Sequence, residues 1–483
     1  MDSEKGRLYS NRIHPYVSKI PIGLVHSLRG LPQFEEEAFL RSHGETRPPV
    51  AIRFNPGKEG KVSNPFLDPD SAMAIALQEK DRISWCPGAY FLSRRPSFTL
   101  DPLFHGGVYY VQEPSSMVTS HVLRQVLDIS RPLKVLDLCA APGGKSTLIQ
   151  STLSPETILV SNEIIRSRVP VLAENLVRWG AINTLVTSRD PSRFQGLEGF
   201  FDVVVVDAPC SGSGLFRKDP RAVEQWSEQL VNLCAARQRR ILSDILPMLK
   251  KGGILIYSTC SFSLAENEEI AGWLAADFGM EPQDLAVPSS WGMVTDMGRY
   301  PGVKGLRCYP QLGRGEGFFL TCLRNSSALA SIRTQRKDPF RSNGKYADLV
   351  KNWISPGGSL VLVSEGKSLH AIPQSLKDPF FFLLEKLQPR HYGVRLGTPV
   401  RDEFLPDHGL ALSLISHEGI AAIDLDLPTA RKYLAKQAIA LNSGKMGWTL
   451  IKYNGIALGW AKILSDRVNN YYPSSSRILQ DLE

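Results

Sequence analysis

The sequence predicts an α/β protein built on a parallel sheet, and three stretches carry that prediction. Val203–Ser211, V-V-V-V-D-A-P-C-S, is an apolar, β-branched run that stops abruptly at Asp207, Pro209 and Cys210. Gly253–Ser261, G-I-L-I-Y-S-T-C-S, is a second apolar run, and it too ends at a cysteine, Cys260. Lys134–Cys139, K-V-L-D-L-C, leads into the tight turn Ala140–Ser146, A-A-P-G-G-K-S. Short apolar runs rich in β-branching, without polar alternation, are strands buried on both faces, as in parallel sheets covered by helices. Ligands of open α/β sheets lie beyond the carboxyl ends of the strands, so Asp207, Cys210 and Cys260 are expected at the working edge.

Length and composition bound what surrounds that sheet. At 483 residues the chain exceeds one ordinary core, and two or three domains are expected. A hydrophobic share of 43% with 22% charged residues fits a folded soluble protein without long disorder. Fifty-six Lys and Arg against 48 Asp and Glu give a formal charge of +8, which favours a polyanionic partner. The seven cysteines are odd in number, widely spaced and free of any C-x-x-C pair, so reduced thiols and no metal site are expected. The start M-D-S-E-K-G-R-L has no apolar core and no run of 18 apolar residues occurs, so the expected location is cytoplasmic, away from membranes.

Taken in order, Leu31–Leu40 repeats apolar positions at helical spacing and is expected to be a helix that ends before Pro48–Pro49. Val50–Pro56 alternates as a half-buried strand would, putting Arg53 and Asn55 on its open face. Trp85–Met117 mixes Tyr90, Phe91, Phe104, His105, Tyr109 and Tyr110 with Arg94 and Arg95, which suits either stacking on bases or sealing a small core. A helix follows through Leu127. In the turn Ala140–Ser146, Gly143 and Gly144 let the backbone approach a ligand, and the free N–H groups of the helix start can hold polar or anionic atoms. A Walker loop would need glycine where Cys139 stands, and G-x-G-x-x-G is absent, so an adenosine-like ligand is expected rather than a nucleoside triphosphate or NAD.

The next strand, Ile158–Glu163, ends about 20 residues after the turn in an acid suited to a ribose hydroxyl pair. Arg166, Arg168, Asn175 and Arg178 follow on a helix, and a third strand, Thr184–Ser188, leads to Asp190, which suits either an adenine amino group or a turn cap. Gly212–Arg221 is a flexible, basic loop. One long helix is expected from Val223 to Leu249 with Arg237, Arg239 and Arg240 on a solvated face, then a helix at Glu266–Asp277 and a closing strand at Phe318–Leu323. Ser326–Gly344 is a polar linker. Beyond it, Ser359–Ser364 is a strand, Pro428–Ala440 a helix and Gly447–Ser465 a hairpin turning at Asn454-Gly455, with Lys452, Lys462 and Arg467 along it. That region has no catalytic constellation, so its expected task is to position a substrate.

A glycine turn, acids after the second and third strands, and Asp-Ala-Pro-Cys after the fourth together describe an S-adenosylmethionine site beside a nucleophile. Asp137–Ser146, Asp207–Gly212 and Ser258–Ser261 resemble the three hallmark motifs of the Sun-type RNA cytosine-C5 methyltransferases. Arg53–Pro56, Gln112–Ser116 and Gly315–Phe319 resemble further segments of that family. The similarity is greatest to the RsmF-like bacterial ribosomal RNA methyltransferases, whose C-terminal PUA-like RNA-binding module Gly447–Pro473 resembles. The resemblance implies a Rossmann-like class I S-adenosylmethionine-dependent methyltransferase domain over residues 131–325. It implies a small N-terminal α+β domain over 1–130, a linker at 326–344 and a C-terminal α+β PUA-like extension over 345–483. The implied activity is methylation of carbon 5 of a cytosine in 16S ribosomal RNA by a monomer. The alternatives are a transfer RNA cytosine-C5 methyltransferase and a non-catalytic RNA-binding assembly factor; intact Asp207, Cys210 and Cys260 argue against the latter.

Chemistry explains these residue types. Carbon 5 of cytosine is a poor nucleophile until a thiolate adds to carbon 6 and makes the ring an enamine. Charge then moves toward N3, where the carboxyl of Asp207 is expected to donate a proton or hydrogen bond. Removing the carbon 5 proton and expelling the thiol call for a base. Residue chemistry leaves open which thiol attacks, because DNA cytosine methyltransferases use a Pro-Cys placed as Cys210 is; the family resemblance assigns attack to Cys260 and release to Cys210. Lys145 is expected either to orient the base or the methionine carboxylate, or simply to begin its helix. The expected cofactor contacts are Cys139, Ala140, Ala141, Pro142, Gly143, Gly144, Lys145, Glu163, Arg168, Asp190 and Asp207. The target base must leave its stack, and Arg53, Arg94 and Arg95 are expected to hold its neighbours. Cys86, Cys139, Cys234, Cys308 and Cys322 are expected to be packed thiols, with the backbone of Cys139 at the cofactor turn. Gln311 departs from the family, which often has histidine there.

Overall fold

A computed structural model describes residues 20–63, 68–76, 81–326, 347–350, 353–354, 360–401, 403–415, 419–441 and 446–481. The expected linker lies outside the described residues except for Ser326, and so does Ser359. The chain divides into two units, one of residues 1–49, 208–240 and 258–322, the other of residues 50–207, 241–257 and 323–483.

The larger unit opens with an antiparallel sheet of β1 (Val50–Phe54), β2 (Ala89–Leu92) and β3 (Tyr109–Val111), in the order β2-β1-β3. The alternation in β1 does not mark an open face. Arg53 is 2% exposed and Asn55 1%. Arg53 donates to Gln112 Oε1 (3.2 Å), Thr147 Oγ1 (2.7 Å) and Ser151 Oγ (3.1 Å), and its guanidinium lies 4.7 Å from the Trp179 ring centre. Asn55 donates to the carbonyls of Gly107 (3.1 Å) and Trp179 (2.8 Å). Both are interior polar groups, stable there because neighbouring acceptors satisfy them.

The expected buried strands follow: β4 (Lys134–Asp137), β5 (Ile158–Asn162), β6 (Thr184–Thr187), β7 (Phe201–Asp207) and β8 (Leu249–Thr259). β4 pairs in parallel with β5 and β7, and β5 with β6, in the order β8-β7-β4-β5-β6. Helices Gly144–Thr152 and Val169–Trp179 make the first two crossovers. Strand order therefore reverses at β4 and β7, the switch point where such sheets bind ligands.

In the smaller unit, the helix expected at 31–40 is replaced by helices Ile22–Leu28 and Glu36–Glu45. Pro32 and the left-handed Gln33 (φ 57) between them prevent one continuous helix. The helix expected from Val223 to Leu249 is likewise two, Pro220–Gln225 and Glu228–Ile245. Trp226, extended at the break, packs with Leu24, Leu28, Phe39, Phe216 and Phe262 in this unit's core. A ribbon follows, with β9 at Met280–Pro282, β10 at Met293–Val294, β11 at Leu306–Cys308 and β12 at Phe318–Asn325; β11 is antiparallel to both β10 and β12.

The C-terminal part of the larger unit has β13 (Leu360–Glu365), β14 (Ser368–Pro373), β15 (His391–Tyr392), β16 (Val394–Val400) and β17 (Glu403–Pro406). β15 pairs with β6, and the others form a sheet. A second sheet holds β18 (Ala421–Leu425), β19 (Gly447–Tyr453), β20 (Ile456–Ile463) and β21 (Val468–Asn470). β19 and β20 are the expected hairpin. The helix expected at 428–440 spans only Leu427–Leu434, because the chain leaves helical geometry at Lys436 (φ 58).

Candidate active site

The glycine turn lies in the larger unit at the end of β4. Gly143 is left-handed (φ 112), and the helix begins at Gly144 with its first N–H groups unused by the helix itself. The Arg168 side chain donates to the Ala141 carbonyl (2.5 Å) and Asn175 to the Pro142 carbonyl (2.8 Å), so the following helix braces the turn. Below it, Asp137 is fully buried and accepts from Ser146 Oγ (2.6 Å), itself met by Ser161 Oγ (2.9 Å). Burial pushes the Asp137 carboxyl up to about 7. The Cys139 thiol is also raised, by burial and the nearby carboxylates of Asp137, Asp207 and Glu163. That leaves it a packed, protonated group.

Glu163, buried just after β5, accepts the Ile165 N–H (2.8 Å), and its other oxygen lies 3.4 Å from Arg168. Asp190 accepts from the backbone N–H and the hydroxyl of Ser192 (3.1 and 2.8 Å) and so caps the turn Pro191–Phe194. Lys145, 8% exposed, lies 2.8 Å from Asp207 at the end of β7. Both its expected partners, the base and the methionine carboxylate, would share it with that ion pair.

A cleft of about 440 Å3 in the same unit is lined by Arg95, Phe98, Phe104, Tyr110 and Asn175, next to the braced turn. Arg94 instead pairs with Asp70 and donates to the Pro69 carbonyl. Of the arginines expected at RNA, Arg53 is interior, Arg94 is ion-paired and Arg95 is at a cleft.

The smaller unit brings Cys210 and Cys260 together, with Sγ to Sγ 3.2 Å, as two free thiols. Hydrogen bonding to Cys260, burial and the Glu266 charge raise the Cys210 thiol well above its ordinary range. Residue-by-residue reading passed over the polar support behind this pair. Ser211 and Ser261, each directly after a cysteine, both bond to the buried Glu266. The repeated Cys-Ser dipeptide was the signal in the sequence that could have found it. Among the described residues no group of three His, Cys, Asp or Glu could hold a metal ion, and no helix is long and apolar enough to cross a membrane.

Comparison with known proteins decides the family. Models of the 16S rRNA methyltransferase RsmB/F, the N-terminal domain of 16S rRNA methyltransferase RsmF and the methyltransferase RsmF PUA domain match residues 124–324, 20–114 and 421–478. Ribosomal RNA small subunit methyltransferase F of Shewanella woodyi is 30% identical over 410 residues, 81% of this chain and 84% of that protein. The chain belongs to the ribosomal RNA small subunit methyltransferase F family. The Vibrio vulnificus (strain YJ016) member is 29% identical over 439 residues, covering 86% of this chain and 90% of its own. Among solved structures, PH0851 shares the fold at TM-score 0.53 and 24% identity, over 66% of this chain and 70% of its own. NSun6 from Pyrococcus horikoshii does so at 0.50 and 20%, over 65% and 100%. The family carries the expected methyltransferase fold with its N-terminal and PUA domains.

Proposed function

We propose that the protein methylates carbon 5 of a cytosine in small-subunit ribosomal RNA through a covalent bond from Cys260, and the sulfur contact of Cys210 and Cys260 carries this reading. Two free thiols 3.2 Å apart, on turns that follow two strands, suit a reaction needing one sulfur to attack and another to release. S-adenosylmethionine fits the donor set of the larger unit: the N–H groups of Gly144 and Lys145 at the helix start suit its carboxylate, Glu163 its ribose diol and Asp190 its adenine amino group. Arg168 fixes both Glu163 and the turn. When bound, this cofactor supplies an electrophilic methyl group.

In this reading Cys260 adds to carbon 6 as a thiolate, with the Cys210 sulfur 3.2 Å away. Charge flows to N3, where Asp207 gives a hydrogen bond; the Lys145 ammonium 2.8 Å away supplies the proton. The enamine made by that addition would then be able to take a methyl group at carbon 5 from a bound donor, whose sulfonium would leave as the neutral thioether. Cys210 then gives its own proton to solvent and, as a thiolate, takes the carbon 5 proton; the ring electrons expel Cys260 as a thiolate, and the N3 proton returns through Asp207 to Lys145. The charge of +8, the match to a PUA model and the cleft at Arg95 and Tyr110 support RNA as partner.

Substitution at the two sulfurs tests the reading, using tritiated S-adenosylmethionine and small ribosomal subunits from a strain lacking the protein. Cys260→Ala is expected to abolish transfer, and Cys210→Ala to accumulate a protein–RNA adduct that survives denaturant. An adduct trapped by Cys260→Ala would reverse the two roles. Bisulfite mapping of RNA from the same strain identifies the modified cytosine, and a transfer RNA target would displace the ribosomal one.

A further inference from the structure

Among the interior carboxylates that the chemistry above does not use, one lies beside both cysteine turns. Glu266, fully buried, ends the short turn Leu264–Glu266 in the smaller unit. Its Oε1 accepts the Ser211 N–H (2.7 Å), and its Oε2 accepts both the Ser211 hydroxyl (2.6 Å) and the Ser261 hydroxyl (2.6 Å). Gln238 donates to the Pro209 carbonyl (3.0 Å) and reaches the same carboxylate at 3.5 Å. One side chain thus holds the residue after each cysteine.

The next two residues extend the grip. Asn267 donates to the Ser261 carbonyl (2.8 Å) and accepts from Thr259 Oγ1 (2.5 Å). Glu268 pairs with Arg307, which donates to the Phe262 carbonyl (2.8 Å). Between the turns themselves, the Gly214 N–H donates to the Cys260 carbonyl (2.8 Å). A buried carboxylate is costly unless donors satisfy it. Its two oxygens provide about four acceptor sites, so it can take donors from two turns at once, which no apolar side chain of that size can do.

We infer that Glu266 is a positioning residue of the reaction, holding Cys210 and Cys260 in sulfur contact by bridging Ser211 and Ser261; this rests on the two-thiol reading above. Its bonds fix the backbone on which each sulfur rides, and its charge lies beside Cys210. Glu266 is fully enclosed by the protein, so its removal is expected to act on the chemical step. Binding of the methyl donor, whose proposed contacts follow β4, β5, β6 and β7, is expected to be spared.

The experiment uses the full chain, tritiated S-adenosylmethionine and small ribosomal subunits from a strain lacking the protein. Glu266→Ala is expected to lower kcat about 100-fold, the scale of a misplacement near 1 Å, with KM for the methyl donor unchanged. Glu266→Gln keeps an acceptor for the Ser211 N–H and offers an amide to the hydroxyls, so it should recover most of that loss. In the Cys210→Ala background, adding Glu266→Ala should slow adduct formation by the same factor. If Glu266→Ala does not fold, Ser211→Ala combined with Ser261→Ala removes the bridge from the other side and must lower kcat with the same unchanged KM. A folded Glu266→Ala, or that serine double variant, with wild-type kcat would overturn the inference. Cys260→Ala in the same assay separates the two claims: if it still transfers methyl, the thiol reading falls and this one with it; if it is inactive while Glu266→Ala is active, only the role of Glu266 falls.

Discussion

Arg53 shows how one residue changes meaning once its surroundings are known. Its place in an alternating strand suggests a surface cation for RNA, yet the guanidinium fills an interior site between Gln112, Thr147, Ser151 and the Trp179 ring. It ties β1 to the helix that starts at the glycine turn. Arg53→Met would leave those acceptors unsatisfied, an expected loss of about 3 kcal/mol in urea unfolding. The variant should also weaken methyl-donor binding while leaving the salt dependence of RNA binding unchanged, whereas loss of a phosphate contact would reduce that slope by about 1. The cysteines behave oppositely. Their own chemistry and their places at strand ends mark them as a reactive pair, the family resemblance divides the proposed roles between them, and the 3.2 Å contact adds the geometry.

Among elements, the β19–β20 hairpin was fully legible because Asn-Gly between two β-rich runs favours one turn type. Asn454 (φ 53) and Gly455 (φ 82) are both left-handed, and the Asp424 carboxylate accepts both their N–H groups at 2.6 Å. A Cβ on Gly455 would also come 2.7 Å from the Lys61 carbonyl. Gly455→Ala is therefore expected to cost about 1–3 kcal/mol, read as a lower melting temperature, with little change in methyl transfer if donor binding is followed separately. The two helices misjudged in length, around 223–249 and 428–440, fail for the opposite reason. Helical periodicity continues through Trp226 and Lys436, but Trp226 turns inward onto an apolar cluster and Lys436 adopts a left-handed backbone.

At the scale of the molecule, histidines make both units sensitive to acid. Burial lowers His43 in the smaller unit and His105 in the larger one to about 4. His105 bonds through its ring nitrogens to the Thr99 carbonyl (2.8 Å) and the Tyr472 hydroxyl (3.1 Å). A histidine whose folded value lies below its unfolded 6.5 binds fewer protons when folded at pH between the two. Its stabilising contribution is complete above about 6.5 and is lost as pH falls toward 4. Stability measured by denaturant is expected to fall across that window, and His105→Gln should flatten the fall, by at most about 3 kcal/mol at the scale of 1.36 kcal/mol per pH unit.

The sequence by itself determined the parallel sheet, the glycine turn, the acids after its strands, the two sulfurs and the hairpin. Each depends on local chemistry: β-branching, glycine conformation, or a motif whose spacing a strand and turn preserve. Tertiary structure decided that Arg53 is interior, that Lys145 and Asp207 form an ion pair, and that Glu266 ties two cysteine turns 50 residues apart. Those facts depend on which distant groups share an enclosed space, because a buried charge persists only where partners from elsewhere in the chain satisfy it.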